Sequence, residues 1–439
     1  MNRSEQSVLK IGKGQNYYRL GHSSVIFFVA LCHDGAPSLL RVTKKISRRL
    51  TALFSTYTLK PALLYFLPLL LAITSCRDDE LVVPTEYDII GDERPESDIR
   101  GLYLVNEGNM GSNKCTLDFY DYRTGLYSRN FYSERNPSVI KELGDVGNDI
   151  GIYGSKLYIV VNCSHKVEVL DAHSGIRIGQ VDIPNCRYIR FHRGKAYVSS
   201  YVGPVLIDPD APKGAVFEVD TASLAVTRKV SVGYQPEEME IVDDYMYVAN
   251  SGGYRVPDYD NTVSVIQMID FKQVQQIPVG INLHRVKKDR YGKLWVSSRG
   301  DYRSIPSRLF VLARVPGSNR MAVTDTIAVA CSNMAVRGDS LYYYATEWNE
   351  YTASNTISYG IIDVRTKEVV SDNFITDGTE RDITIPYGIA LHPETGDIFV
   401  TDAKNYVSSG TLYCFDSKGR RKWSVRTGDI PAHITFLRQ

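Results

Sequence analysis

No two of the seven cysteines in this chain stand at Cys-x-x-Cys spacing, and Cys115, Cys163, Cys186, Cys331 and Cys414 are scattered singly along its length. An odd, unpatterned set argues against both a disulfide framework and a structural zinc site, and leaves small core residues as the expected role. Charge of one sign is equally scarce. With 51 Lys and Arg against 50 Asp and Glu, no global field draws in nucleic acid, and no nucleic-acid partner is expected. Also missing are His-Glu-x-x-His, Gly-x-Ser-x-Gly, the phosphate loop Gly-x-x-x-x-Gly-Lys-Ser/Thr and the Asp-x-Asp-x-Asp-Gly calcium loop. The expectation is therefore a protein without enzymatic activity, cofactor or metal. The runs "DPDAPKG" at Asp208 and "DYDN" at Asp258 cluster carboxylates, a pattern commoner in solvated loops than around a cation. Helical periodicity of useful length is absent after Cys76, which excludes bundles and doubly wound α/β folds.

What is present is a repeat. An apolar run recurs as "LYLVNEG" at Leu102, "LYIVVNC" at Leu157, "AYVSSYV" at Ala196, "MYVANSG" at Met246, "LWVSSRG" at Leu294, "LYYYATE" at Leu341 and "IFVTDAK" at Ile398. Glycine or acidic turns such as "YGSK", "HRGK" and "ETGD" precede these runs, as hairpins require. A second, alternating run follows each: "CTLDFYD", "HKVEVLD", "GAVFEVD", "NTVSVIQ", "SRLFVLA", "TISYGIID" and "GTLYCFD". Further strands such as "IRIGQVDIP" and "YIRFHRG" lie between the units. Seven units of four strands predict an all-β, seven-bladed β-propeller over residues 100–439. "AHITFL" at Ala432–Leu437 supplies the inner strand that the first unit lacks, so the C-terminal strand should close the ring by joining the first blade.

In a propeller the loops between second and third strands, and those leading into each inner strand, share one face around the central channel. Here they are unequal and rich in aromatic and cationic residues. Candidate ligand-binding side chains on them are Tyr201, Tyr254, Tyr259, Arg299, Tyr302, Trp348, Tyr351 and Tyr406. Large amphipathic rings give broad contact with few rotors to freeze, and cations beside them suit a polar, partly planar guest. Aligning the inner strands brings Asp149, Tyr188, Glu238, Arg285, Asn333, Gly388 and His433 to one level near the channel mouth. No two are alike, so an asymmetric guest is expected rather than a symmetric metal, and Tyr188, Arg285, Asn333 and His433 join the candidates.

Lys44, Lys45, Arg48 and Arg49 precede "PALLYFLPLLLAIT", 14 largely apolar residues, too few to span a bilayer and the size of a signal-peptide core. The run ends in "ITSC", which resembles the bacterial lipobox. That resemblance implies a signal peptide at 44–75, lipid attachment at Cys76 and several acyl chains anchoring the protein in a membrane. "CRDDE" resembles the acidic export tag of surface lipoproteins of the Bacteroides group, which implies an outer-membrane protein facing the cell exterior. Residues 76–99 read as an acidic, flexible tether. Residues 1–43 fit no part of a leader, so a mispredicted start is expected, and with no methionine between Met1 and Met110 a later start would need a non-AUG codon.

The phrases "VNEGNMGSN", "GNDIGIYGSKLYIVVNCSHKVEVLD" and "PYGIALHPETGDIFVTDA" resemble blades of the YncE-like propeller lipoproteins of the Bacteroides group, over residues 100–439. That family includes BtuG-type proteins that capture cobalamin for a TonB-dependent outer-membrane transporter. The resemblance implies corrinoid capture, with that transporter as partner. Two other classes compete with it: a glycan-binding or protein-docking propeller using Tyr302, Trp348 and Tyr351, and a metal-dependent hydrolase built on Asp149, Glu238 and Asn333.

Overall fold

The second strand of each repeat carries a continuous apolar run because its two faces bury against different neighbours. In Ile99–Asn106, Leu102 and Leu104 pack with Phe399 and Leu412, whereas Tyr103 and Val105 pack with Leu157 and Ile159. A sheet covered on both sides loses the polar-apolar alternation of a half-exposed one. The computed structural model describes residues 86–91, 97–139, 143–349 and 354–439. All belong to the second of two units into which the chain divides, Leu81–Gln439.

These residues form seven antiparallel sheets, six of four strands and one of five. The inner strands are Pro431–Arg438 in blade 1, Gly147–Tyr153 in blade 2, Cys186–His192 in blade 3, Pro236–Val242 in blade 4, Leu283–Lys288 in blade 5, Asn333–Arg337 in blade 6 and Pro386–Leu391 in blade 7. Each packs against the next, and the seventh against the first, closing a seven-bladed propeller. Closure is by the C-terminal strand, which pairs with Ile99–Asn106 from Ile99 opposite Arg438 to Asn106 opposite Pro431.

Local chemistry accounts for the turns. Arg193 and Gly194 of "HRGK" both have positive φ, 46° and 76°, the geometry of a two-residue hairpin turn. In five blades an aspartate at or just past the end of the third strand caps the next turn: Asp171 Oδ1 accepts from the His173 and Ser174 amides at 3.1 and 2.8 Å, and Asp121, Asp220, Asp363 and Asp416 act alike. The only described α-helix, Phe131–Arg135, has five residues. Cys115, Cys186, Cys331 and Cys414 are buried, Cys163 is partly so, and no disulfide joins any of them.

The segment read as a tether differs in part. Tyr87–Ile89 adds a fifth strand to blade 1, pairing with the three-residue outer strand Leu126–Ser128. Two of the segment's acids are ion-paired: Arg129 contacts Glu86 at 2.8 Å and also Asp88. Cys76 and the segments 1–43 and 44–75 lie outside the described residues.

Candidate ligand site at the channel mouth

A regular strand points alternate residues to one side, but most inner strands here are irregular at their first residues. Pairing shifts between Gly147 and Asp149, Pro236 and Met239, Leu283 and Val286, and Pro386 and Ile389, with equivalent breaks in blades 1 and 3. Such a bulge takes amides off the ladder and re-aims side chains. Hydroxyls of the second strands collect those amides. Ser199 Oγ accepts from the Tyr188 amide at 3.1 Å and donates to the Glu237 carbonyl of the next blade at 2.9 Å. Ser297 accepts from the Arg285 amide at 3.0 Å, and Thr401 accepts from Gly388 at 2.7 Å while donating to Pro431 at 2.6 Å. Consecutive residues therefore line the channel: Arg187 with Tyr188, Glu237 with Glu238, His284 with Arg285.

The upper tier is organised around Glu237, which is 1% exposed. Its carboxylate receives Arg187 through Nη2 and Nε at 2.9 and 3.2 Å, Tyr201 Oη at 2.7 Å and Arg299 Nη1 at 3.5 Å. Burial alone would raise its pKa, but the Arg187 and Arg299 guanidiniums outweigh burial and hold it below the usual range. Arg187 also lies over the Tyr201 ring, 4.9 Å from its centroid. On the other side of the mouth Glu107 accepts from Tyr387 Oη at 2.8 Å, and burial pushes its pKa up to about 7.

Below, Tyr188 Oη meets His284 Nε2 at 3.1 Å and accepts from Arg285 Nη1 at 3.0 Å, and His433 sits edge-on to the Tyr188 ring at 6.1 Å. Burial and then nearby guanidiniums, Arg299 for His284 and Arg285 for His433, hold both imidazoles well below their ordinary pKa and neutral. Next come Arg190, bridging Asp149 at 3.1 Å and Glu238 at 2.6 Å, and Lys287 on Glu238 at 2.5 Å. The Lys287 and Arg190 charges overcome burial and hold Glu238 at about 2.

The residues singled out from sequence thus divide. Tyr188, Arg285, Asn333 and His433 do share the channel with Asp149 and Glu238. Asn333 is engaged on both sides, its Oδ1 accepting from the Met334 amide at 2.9 Å and its Nδ2 donating to the Tyr387 carbonyl of the next blade at 3.4 Å. Gly388 is there for packing, since a Cβ would stand 2.2 Å from the Ala432 carbonyl. Tyr201 is buried beside Glu237 rather than at a loop tip, Arg299 and Tyr254 adjoin it, and Tyr406 packs edge-on to Tyr387 at 5.8 Å. Tyr259 is half-buried, and Tyr302 is 63% exposed on the rim. Trp348 lies near the end of the long strand Ser340–Asn349, and Tyr351 falls outside the described residues. Sequence reasoning missed Glu107, Arg187, Glu237, His284 and Tyr387. Four of these immediately precede a residue picked out by aligning the inner strands, and taking one position per strand hid them. Among the described residues no group of three or more His, Cys, Asp or Glu side chains is placed to hold a metal ion. The "DPDAPKG" run is a local turn in which Asp208 accepts from the Asp210 amide at 2.9 Å.

Residues 100–434 match the family model described as "Domain of unknown function (DUF5074)". No curated protein matches the sequence. Among solved structures, the Pseudomonas aeruginosa periplasmic gluconolactonase PpgL is 13% identical, covering 77% of this chain and 99% of its own, with a TM-score of 0.54. A quinonprotein alcohol dehydrogenase-like protein from Bacteroides thetaiotaomicron is 13% identical, covering 77% and 78%, with a TM-score of 0.52. Kuenenia stuttgartiensis hydrazine synthase is 16% identical, covering 67% and 95%, with a TM-score of 0.53. At these identities the likeness extends to the fold alone.

Proposed function

The chain belongs to the DUF5074 family, and we propose that it serves as a non-catalytic binding protein, holding a bulky polar guest at the tyrosine- and arginine-lined mouth of its channel. The observation that carries this is the state of the ionisable groups. Glu237 and Glu238 are clamped by cations, and His284 and His433 are held neutral, while Tyr259 and Tyr302 offer uncommitted aromatic surface above them. Such a layer is rigid and preorganised, which favours capture.

The resemblance to YncE-like lipoproteins makes a corrinoid the specific guest we propose, delivered to a TonB-dependent transporter by a protein lipidated at Cys76 and displayed outward on the outer membrane. Equilibrium titration with cyanocobalamin tests the guest: micromolar or tighter binding is expected, and no binding removes the corrinoid. A glycan array would then test sugar stacking on Tyr302. Radiolabelled palmitate incorporation, lost in Cys76→Ala, tests the anchor.

One observation favours a second reading. Glu107, with a pKa of about 7 beside Tyr387 and 3.9 Å from His433, has the proton affinity of a general acid or base. A hydrolytic propeller would lose activity in Glu107→Gln, whereas a binding protein would keep its affinity.

A further inference from the structure

Arg285 stands apart from the other cations of the channel. Arg187, Arg190, Arg299 and Lys287 each touch a carboxylate. Arg285 is 7% exposed and, among the described residues, makes no ion pair. Its one side-chain hydrogen bond runs from Nη1 to Tyr188 Oη, and its buried Nε has no partner. Around it lie Tyr188, Tyr344 and the neutral rings of His284 and His433, which offer hydrogen bonds but no countercharge.

The charges facing it do not supply a direct partner. Above, Arg187 and Arg299 already occupy Glu237, and Glu107 bonds to Tyr387. Below, Asp149, Glu238 and Glu240 face Arg190 and Lys287, which hold them at shorter range. Burying a guanidinium without a contacting anion is costly, so a site that keeps one is built to receive its anion from elsewhere.

We propose that Arg285 anchors an anionic oxyacid group, carboxylate or phosphate, which the guest lowers into the neck of the channel. A planar guanidinium whose Nη2 makes no hydrogen bond among the described residues suits two-point recognition of such a group together with Nη1, and the neighbouring Tyr188 hydroxyl and imidazoles complete its shell. This rests on the reading of the mouth as a binding site and specifies the chemistry of what enters.

The experiment titrates the full chain with inorganic phosphate and, separately, with citrate at constant ionic strength. Chloride is the reference, and both calorimetry and melting temperature are read. At least one oxyanion is expected to bind and to raise the melting temperature beyond chloride. A response to phosphate alone assigns a phosphate, and one to citrate alone a carboxylate. Arg285→Gln should weaken binding at least tenfold, and Arg123→Gln on the outer surface should bind as the parent does. Should Arg285→Gln fail to fold, Arg285→Lys decides, with weaker binding expected from loss of the fork. Equal response to chloride, or undiminished binding in the Arg285 variants, overturns the inference. Cyanocobalamin uptake that is indifferent to both oxyanions and to Arg285→Gln would leave the binding mouth standing and sink this inference. Oxyanion binding without cyanocobalamin uptake would do the reverse for the corrinoid.

Discussion

Replacing Glu237 by Gln isolates the charge at the centre of the upper tier. The amide is nearly isosteric, and its carbonyl still accepts from Tyr201 Oη, so the shape of the site survives. What is lost is, among the described residues, the only carboxylate in ion-pair contact with Arg187 and Arg299, two cations whose side chains are 15% and 28% exposed. Removing one partner of a buried pair costs about 3–5 kcal/mol, with the lower end apt here because one hydrogen bond remains. A propeller of about 340 residues has an unfolding entropy of about 0.7 kcal/mol/K, so the melting temperature should fall by about 4–7 °C. The pH dependence adds a second signature. The folded pKa of Glu237 is depressed, so its stabilisation is fully present above the unfolded carboxylate range and is lost as pH falls through the folded value. The gap between parent and variant should therefore be constant near neutrality and narrow at acid pH. Differential scanning calorimetry from pH 4 to 8 measures both. A variant melting within about 1 °C of the parent at pH 7 would refute the claim that this carboxylate holds the tier together.

Removing Pro431–Gln439 strips blade 1 of its inner strand and should abolish the single cooperative melt, seen as early, multiphasic loss of near-ultraviolet circular dichroism; a sharp parental transition would contradict closure by this strand. Ser199→Ala leaves the buried Tyr188 amide without its acceptor and should cost about 1–3 kcal/mol, read as a lower midpoint in urea. Glu107→Gln should match the parent at pH 5 and become the more stable of the two by pH 8. The buried carboxyl, with its pKa raised to about 7, binds its proton more tightly folded than unfolded, so the parent alone loses stability as pH rises from about 4.5 through 7.

Repeats made the blades legible. The runs beginning at Leu102, Leu157, Ala196, Met246, Leu294, Leu341 and Ile398 are all second strands, because burial between two neighbouring blades is written directly as continuous apolar sequence. The channel was half legible. Aligning the inner strands found Tyr188, Glu238 and Arg285 but passed over Arg187, Glu237 and His284 beside them, because one aligned position per strand cannot show a bulge that lets two consecutive residues face the channel. In three blades the bulge leaves a trace in sequence, the serine or threonine of "AYVSSYV", "LWVSSRG" and "IFVTDAK", whose hydroxyl takes the freed amide. Tyr201 misled for a related reason: it follows the second strand closely and turns inward to Glu237 rather than outward.

The channel-facing edge of a propeller imposes demands that precede any ligand. Each inner strand has unpaired backbone groups on its free side, and these must be satisfied where water is scarce. Asp149 accepts from the Ile189 amide of the next blade at 2.9 Å, Glu238 from Val286 at 2.9 Å, and Asn148 donates to the Arg187 carbonyl at 2.6 Å. Those polar residues are stitches between blades, and Arg190 and Lys287 are present because the stitches are charged. Polar residues in a propeller channel are thus weak pointers to function when taken together. Subtracting the stitches and their countercharges leaves Glu237 with Arg187 and Arg299, and beside them Tyr188, His284, Arg285, Glu107 and His433, none of which bonds to the backbone of a neighbouring blade through its side chain among the described residues. That remainder is where variation between family members should track the guest, while Asp149, Glu238, Ser199 and Thr401 should track the ring.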